Sequence, residues 1–114
     1  MKKKALNKVA KAWVRALRSG KYKQGVGALK REGHYCCLGV LCELAVKEKV
    51  ISRFTGSLGT LSETVMRWVG LADNAGGFVT RSRVTKYLTS TNDAGVSFAK
   101  IADIIESQPE GLFK

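Results

Sequence analysis

The sequence predicts an α+β fold in which three or four helices pack on a small antiparallel hairpin, with an all-α fold as the alternative. A stretch that is apolar on every side lies before the middle of the chain, and amphipathic helical patterns occur towards both ends. A segment with aromatic, β-branched and threonine residues lies between them and favours a hairpin. With 114 residues, the chain is expected to form a single domain over residues 1–114.

The central apolar stretch is residues 35–45 (YCCLGVLCELA), in which nine of eleven residues are apolar. A segment that is apolar all round is normally buried all round, so the rest of the domain is expected to pack onto it. We expect a strand to end at Leu38, Gly39 to allow a bend, and a helix to span residues 40–47.

Three cysteines, Cys36, Cys37 and Cys42, lie within this stretch. Because they are odd in number and clustered, they predict reduced, buried thiols that pack as small hydrophobic groups, not a disulfide framework. Neighbouring Cys36 and Cys37 point in different directions, which disfavours a metal site with His34. A Cys36–His34 nucleophile is also disfavoured, because no Asn or Asp orients the histidine and apolar surroundings raise a thiol pKa. We expect no metal or cofactor.

Residues 3–18 predict an amphipathic helix that ends at Ser19-Gly20. Apolar residues recur at three- and four-residue steps and define one face: Leu6, Val9, Trp13, Ala16 and Leu17. Basic residues recur at the same steps on the opposite face: Lys4, Lys8, Lys11, Arg15 and Arg18. Such a stripe is either a solvated face or a docking surface for phosphates.

The net charge of +11 is confined to the beginning of the chain. Residues 1–31 contain eleven Lys or Arg and no acid, whereas the other 83 residues contain nine basic and nine acidic side chains. This asymmetry predicts an anionic partner. No apolar run approaches the roughly 20 residues of a membrane span, and lysines interrupt the segment after Met1, so we expect a cytoplasmic protein without membrane contact.

A glycine-rich connection over residues 22–33 follows the first helix. Its Gln24-Gly25-Val26-Gly27 segment predicts a short strand or a tight loop that approaches another backbone closely. Because glycines expose backbone N–H groups, and basic residues flank the segment, an anion-binding nest is one alternative and a plain β-turn is the other.

The second half of the chain predicts two capped helices, a hairpin and a turn. Ser62 caps the helix Glu63–Val69, which ends at Gly70 and contributes Trp68 to the core. A strand pair occupies residues 78–88, and residues 89–95 (TSTNDAG) form a turn in which Asp93 accepts backbone N–H groups. Ser97 then caps a helix over residues 98–107, which Pro109 ends.

Three blocks of the sequence resemble a family of small proteins from tailed phages and prophages. They are WVRALRSGKYKQGVGAL (13–29), YCCLGVLCELA (35–45) and NDAGVSFAKIADIIE (92–106), and together they cover roughly 40% of the chain in the same order. The resemblance implies a phage or prophage setting, in which small accessory proteins commonly serve host takeover or counter-defence. The resemblance implies no catalytic residues. The sequence itself offers few groups for catalysis, because it has one histidine and its carboxylates do not occur in pairs.

Three functions are consistent with these patterns. The first is non-enzymatic binding of an anionic, nucleotide-type ligand, with Tyr22 and Tyr35 as stacking surfaces and a pocket that an oligomer interface can complete. The second is contact with nucleic-acid backbone phosphates, and the third is inhibition of a host protein through an acidic surface. The predicted ligand-binding residues are Lys4, Lys8, Lys11, Arg15, Arg18, Lys21, Tyr22, Lys23, Gln24, Gly25, Arg81, Arg83 and Asn92.

Overall fold

A computed structural model describes residues 5–53 and 60–114 of the chain. Lys4 and the predicted helix start at Lys3 lie outside the described residues. The helices are α1 (Lys8–Arg18), α2 (Cys37–Lys47), α3 (Glu63–Val69), α4 (Leu88–Asp93) and α5 (Phe98–Glu106). The strands are β1 (Lys23–Gln24), β2 (Lys30–Arg31), β3 (His34–Tyr35), β4 (Gly77–Val79) and β5 (Thr85–Tyr87). The predicted α+β class is confirmed.

Helix α1 begins later than its periodicity predicts, because Asn7 acts as its N-cap. The Asn7 side chain accepts a hydrogen bond from the Ala10 N–H at 2.8 Å and donates one to the Val69 carbonyl oxygen at 2.9 Å. The first bond satisfies an N–H of the first turn, and the second ties α1 to the end of α3. The predicted helical conformation of residues 5–7 was therefore wrong, whereas the predicted end at Ser19-Gly20 is confirmed.

Helix α2 begins earlier than predicted and contains Gly39. The backbone of Gly39 packs so closely on Leu29 that an added Cβ would lie 1.7 Å from the Leu29 carbonyl oxygen. The predicted strand to Leu38 and the predicted bend at Gly39 were therefore wrong. The glycine is required by the close approach of two backbones, not by a bend.

Two small sheets accompany the helices in the described part of the chain. In the first, the strand order is β1-β3-β2, with β1 parallel to β3 and β2 antiparallel to it. In the second, β4 and β5 form the antiparallel hairpin that the sequence predicts. The mixed three-stranded sheet was not predicted, because strands of two residues carry no recognisable alternation.

The two predicted caps of the second half are confirmed, and one predicted turn is wrong. Ser62 accepts from the Val65 N–H and Ser97 from the Lys100 N–H, and Gly70 ends α3 with a φ of 84°. The predicted turn over residues 89–95 is instead helix α4 followed by a short turn. Thr, Ser and Asn have weak helix propensity, and here the tertiary contacts of α4 outweigh it.

The buried side chains form one contiguous cluster drawn from all five helices and their connections. Trp13 is completely buried, and its indole N–H donates to the Cys37 carbonyl oxygen at 2.9 Å. Leu38 and Leu41 of α2 are also completely buried, so the predicted central position of this segment holds. Trp68, predicted in the core, is only partly buried at its margin. Among the described residues, no helix has the length and apolar character to cross a membrane.

Candidate anion-binding surface along the first helix

The exposed side of α1 carries three cations, Lys8, Lys11 and Arg15, which we call the cationic ridge. At about 100° per residue, the three side chains fall within an arc of about 60° around the helix axis. All three are exposed, and none has a carboxylate within ion-pair distance in the part of the chain that the structure describes. The ridge therefore presents uncompensated positive charge to solvent.

The ridge faces outward because the opposite side of α1 is occupied by the core. Its buried residues are Ala10, Trp13, Val14 and Leu17. The predicted apolar face is thus rotated, because Val14 and Ala10 are buried whereas Val9 and Ala16 lie at its margin. The predicted separation of a basic face from an apolar face holds for the described residues.

Arg18, the last cation predicted on this face, is compensated within the fold. Its guanidinium forms ion pairs with Asp103 at 2.7 Å and with Glu106 at 3.0 Å, both on α5. Hydrogen bonding to Arg18, reinforced by its charge, lowers the pKa of the Glu106 carboxyl. Arg18 therefore adds donors but little net charge to the surface, and its prediction as a simple cationic ligand contact needs this correction.

A first groove of about 780 Å³ lies between α1 and the carboxyl end of α5. Leu6 and Val14 contribute apolar surface, and Lys11 and Arg15 of the ridge stand on one side. Its complete lining is Ala5, Leu6, Lys11, Val14, Arg15, Arg18, Ser19, Glu106 and Gln108. The volume is within the range of about 300–1,000 Å³ that is typical of small-molecule sites.

A second groove of about 440 Å³ lies on the other flank of α1. Its apolar surface comes from three helices and the segment after α2, and it includes the partly buried ring of Trp68. The complete lining is Lys8, Val9, Ala12, Leu44, Lys47, Glu48, Val50 and Trp68. Of these residues, the sequence predicted only Lys8 as a ligand contact. A helical pattern shows which face of a helix is apolar, but it does not show which sides of the helix neighbouring elements leave uncovered.

Gln24 is engaged within the fold instead of being free for a ligand. Its side-chain amide donates to Asn92 Oδ1 at 3.0 Å and to the Val96 carbonyl oxygen at 2.7 Å. Its Oε1 accepts from the Phe98 N–H at 3.1 Å, at the start of α5. Both amide hydrogens are thus used, and they join β1 to α4 and to the connection between α4 and α5.

Asn92 is fully buried, so the predicted contact with a ligand is wrong for this residue. Its Oδ1 accepts from the Cys37 N–H at 3.2 Å and from Gln24, and its Nδ2 donates to the Gly25 carbonyl oxygen at 2.7 Å and to Asp93 at 3.3 Å. All of its hydrogen-bonding capacity is filled by the protein. Asn92 therefore joins α4, β1 and the start of α2.

The glycine-rich loop already binds an anionic group, which is the carboxylate of Asp93. The Gly27 N–H donates to Asp93 Oδ1 at 3.1 Å, across 66 residues of sequence. Asp93 thus accepts a backbone N–H as predicted, but from this distant loop. At Gly25, an added Cβ would lie 2.6 Å from the His34 Cβ, which explains the glycine by close packing.

The remaining predicted residues of the first quarter line neither groove. Tyr22 packs edge-to-face on Tyr35, with ring centroids 5.2 Å apart, and the Lys47 ammonium lies 5.7 Å from the Tyr22 ring centroid. Both rings are thereby partly covered as stacking surfaces. Lys21 and Lys23 are exposed, and neither contributes to the lining of the two grooves.

Arg81, Arg83 and Lys86 on the hairpin form a second basic cluster, which is weaker than the ridge. All three are exposed, but Arg83 forms an ion pair with Glu110 at 3.2 Å. None of the three lines either groove. The structure therefore does not bring Arg81 and Arg83 together with the cationic ridge at one groove.

The three cysteines are free and buried, as predicted. Burial raises the pKa of all three thiols, to about 12 for Cys42. His34, by contrast, is exposed, and its Nδ1 lies 3.1 Å from the Glu32 carbonyl oxygen. At neutral pH the thiols are therefore protonated packing groups.

Comparison with known proteins identifies a family for the chain but no individual relative. No curated protein and no solved structure matches the chain. Residues 5–109, which include the ridge, the whole lining of both grooves and the Gln24–Asn92 contacts, match a family described as a domain of unknown function, DUF8296. Since the match spans most of the chain, the protein belongs to the DUF8296 family.

Proposed function

We propose that the protein is a non-enzymatic binding protein that holds an anionic, nucleotide-type ligand on the cationic ridge and in the first groove. The observation that carries this proposal is the set of three exposed cations, Lys8, Lys11 and Arg15, without a carboxylate partner in the described part of the chain. Two of them stand beside a groove of about 780 Å³. An anion gains most where positive charge and a concave surface coincide.

The chemistry of the first groove fits a ligand with a charged end and an apolar end. Lys11 and Arg15 offer ammonium and guanidinium donors to a phosphate. Leu6 and Val14 offer apolar surface to a sugar or a base. Arg18 is paired with Asp103 and Glu106 and therefore adds no net positive charge to the groove, which favours a ligand of modest charge over a polyphosphate.

The phage or prophage setting, and with it a role in host takeover or counter-defence in the host cytoplasm, is part of this proposal. It is supported by the resemblance of the blocks at residues 13–29, 35–45 and 92–106, and by the small size of the domain. A binding protein in that setting acts by withdrawing an anionic ligand from host components. Such action needs affinity and no catalytic group.

Calorimetric titration with mono-, di- and cyclic nucleotides, together with thermal-shift assays, tests the proposal. We expect at least one of them to bind, and we expect Lys11→Glu with Arg15→Glu to weaken that binding at least tenfold, because two attractive charges become repulsive. Arg81→Glu with Lys86→Glu is the matched control, since it makes the same charge change at two exposed hairpin positions.

The hairpin variant should bind like the wild-type protein. Absence of binding by every nucleotide at millimolar concentration would refute the proposal. Loss of binding in the hairpin variant, with retention in the α1 variant, would move the site to the second basic cluster.

Contact with nucleic-acid backbone is the second candidate, because the ridge is linear and its three cations are exposed. Lys8 to Arg15 spans seven residue steps, or about 10 Å along the helix axis. Three phosphate contacts predict a slope of about −3 when the logarithm of the duplex-DNA association constant is plotted against that of salt concentration. A salt-independent association, or none, would eliminate this candidate. Capture of an acidic host protein would instead support the third candidate function, which is inhibition of a host protein through its acidic surface.

A further inference from the structure

We infer that the ligand is a nucleotide chain with at least two bases, which crosses α1 with its linking phosphate on the cationic ridge and one base in each groove. This inference rests on the proposed function and deepens it. The new observation is that the ridge has an apolar groove on each side, not on one side only.

The arrangement follows from the positions of residues around α1. With about 100° per residue, Val14 lies on one side of the ridge, and Val9 and Ala12 lie on the other. Val14 belongs to the first groove, whereas Val9 and Ala12 belong to the second. The cations are divided as well, because Lys11 and Arg15 border the first groove and Lys8 borders the second. The cationic ridge therefore lies between two apolar surfaces, one on each side of it.

The second groove has the composition of a base-binding site. Its lining, around a volume of about 440 Å³, combines the partly buried indole of Trp68 and four aliphatic residues with two lysines and the carboxylate of Glu48. Stacking of bases on aromatic rings beside a cationic track is the usual way in which proteins hold single strands without reading their sequence. Lys47, which also lines this groove and donates to the Tyr22 hydroxyl at 3.2 Å, adds a further cation.

A single nucleotide does not use this arrangement fully. It has one base and can fill only one of the two grooves, which leaves the other apolar surface exposed. Two bases joined by a phosphodiester match the sequence of apolar, cationic and apolar surfaces across α1. The same chemistry is found in a free dinucleotide and in a longer single strand, and the experiment below separates these sources.

The two tryptophans make the inference directly measurable. Trp13 is completely buried and hydrogen-bonded to Cys37, so its emission should not respond to a ligand at the surface. Trp68 lines the second groove, and stacking of a base should quench its emission. We expect quenching by the adenylyl dinucleotide ApA and by a single-stranded dodecamer of adenylates, and none by AMP.

Trp68→Leu removes the ring and keeps an apolar side chain at the core margin. We expect it to weaken ApA binding in calorimetry by roughly five- to 150-fold, which corresponds to the usual range for one stacked base. AMP binding should be unchanged. Lys47→Glu is a second variant, which leaves the core intact, and it should weaken binding of the dodecamer. Lys100→Glu makes the same charge change at an exposed position of α5 and should not weaken that binding.

The outcomes separate the inference from the function on which it rests. Equal affinity for AMP and ApA, with no change in Trp68 emission, would overturn the inference and leave the proposed function standing. Failure of all three probes to bind would overturn the inference, and failure of every mono-, di- and cyclic nucleotide as well would overturn the proposed function with it. Tighter binding of the dodecamer than of ApA, with Trp68 quenched by both, would support the inference and identify a single strand as the ligand source.

Discussion

Asn92 shows how one polar side chain organises the interior of this protein. It is fully buried, and its amide joins the start of α2, the end of β1 and its own helix α4. These polar partners are buried or partly buried, so water does not readily replace the hydrogen bonds that Asn92 supplies to them. At the residue scale, the Asn-Asp pair at positions 92 and 93 therefore serves the fold instead of a ligand.

Asn92→Ala should lower the free energy of unfolding by about 2–4 kcal/mol, because it leaves buried donors and acceptors without partners. Urea unfolding followed by circular dichroism measures the change. Asp93→Ala is the matched control on the same helix, and it should lower the free energy by less than about 1 kcal/mol because the carboxylate is exposed. Equal effects of the two substitutions would contradict the organising role of Asn92.

At the scale of elements, α1 and α5 meet in two ways. Their apolar faces pack within the core, and at their carboxyl ends Arg18 pairs with Asp103 and Glu106. The Arg18 side chain is exposed, so the pair is screened by water and contributes little to stability near neutral pH. Its main effect is to remove one cation from the exposed side of α1 and to place a carboxylate at the edge of the first groove.

The effect of this pair should depend on pH in a defined direction. Arg18 lowers the pKa of Glu106 in the folded protein below the ordinary value of 4.5. The contribution of Glu106 is therefore fully present above pH 4.5 and is lost as the pH falls through the lower folded pKa.

Thermal unfolding between pH 2 and pH 8 checks this for the wild-type protein and for Glu106→Gln. Their difference in Tm should be constant at neutral pH and should disappear in acid. In an Arg18→Gln background, Glu106→Gln should show no such pH dependence. A difference in Tm that increases with acidity would contradict the assignment.

For the whole molecule, the buried cluster encloses all three thiols. Cys36, Cys37 and Cys42 each expose 3% or less of their surface, and burial raises the pKa of each thiol. A thiol reagent therefore needs both an opening of the fold and a thiolate that is scarce at pH 8. Thiol reactivity should then report the global opening of the domain.

In the native protein at pH 8, we expect no cysteine to react with Ellman's reagent within minutes, and all three to react in concentrated guanidinium chloride. Absorbance at the wavelength of the released thiolate gives the count and the rate. Lys86→Cys, which places a thiol on an exposed strand, is the control and should react at once. Rapid reaction of a native cysteine would show that the segment around α2 opens separately from the rest.

Patterns that depend on neighbours in the chain were visible before the structure. The amphipathic character of α1, the serine caps of α3 and α5, the hairpin and the buried segment at residues 35–45 all follow from spacing or from local hydrogen-bonding chemistry. The helix boundaries that were predicted wrongly depend on contacts between residues that are far apart in the sequence. Asn7 is held by the end of α3, and Gly39 by the backbone of Leu29.

The sequence by itself determined the α+β class, the buried middle segment and the position of excess positive charge in the first quarter, because each depends on composition or on periodicity along one element. Only the tertiary structure decided which cations remain unpaired, where grooves open beside them, and that Gln24 and Asn92 bond to the protein itself. These features arise between segments that are tens of residues apart, such as Arg18 with Glu106 and Gly27 with Asp93. Local patterns carry no information about such pairings.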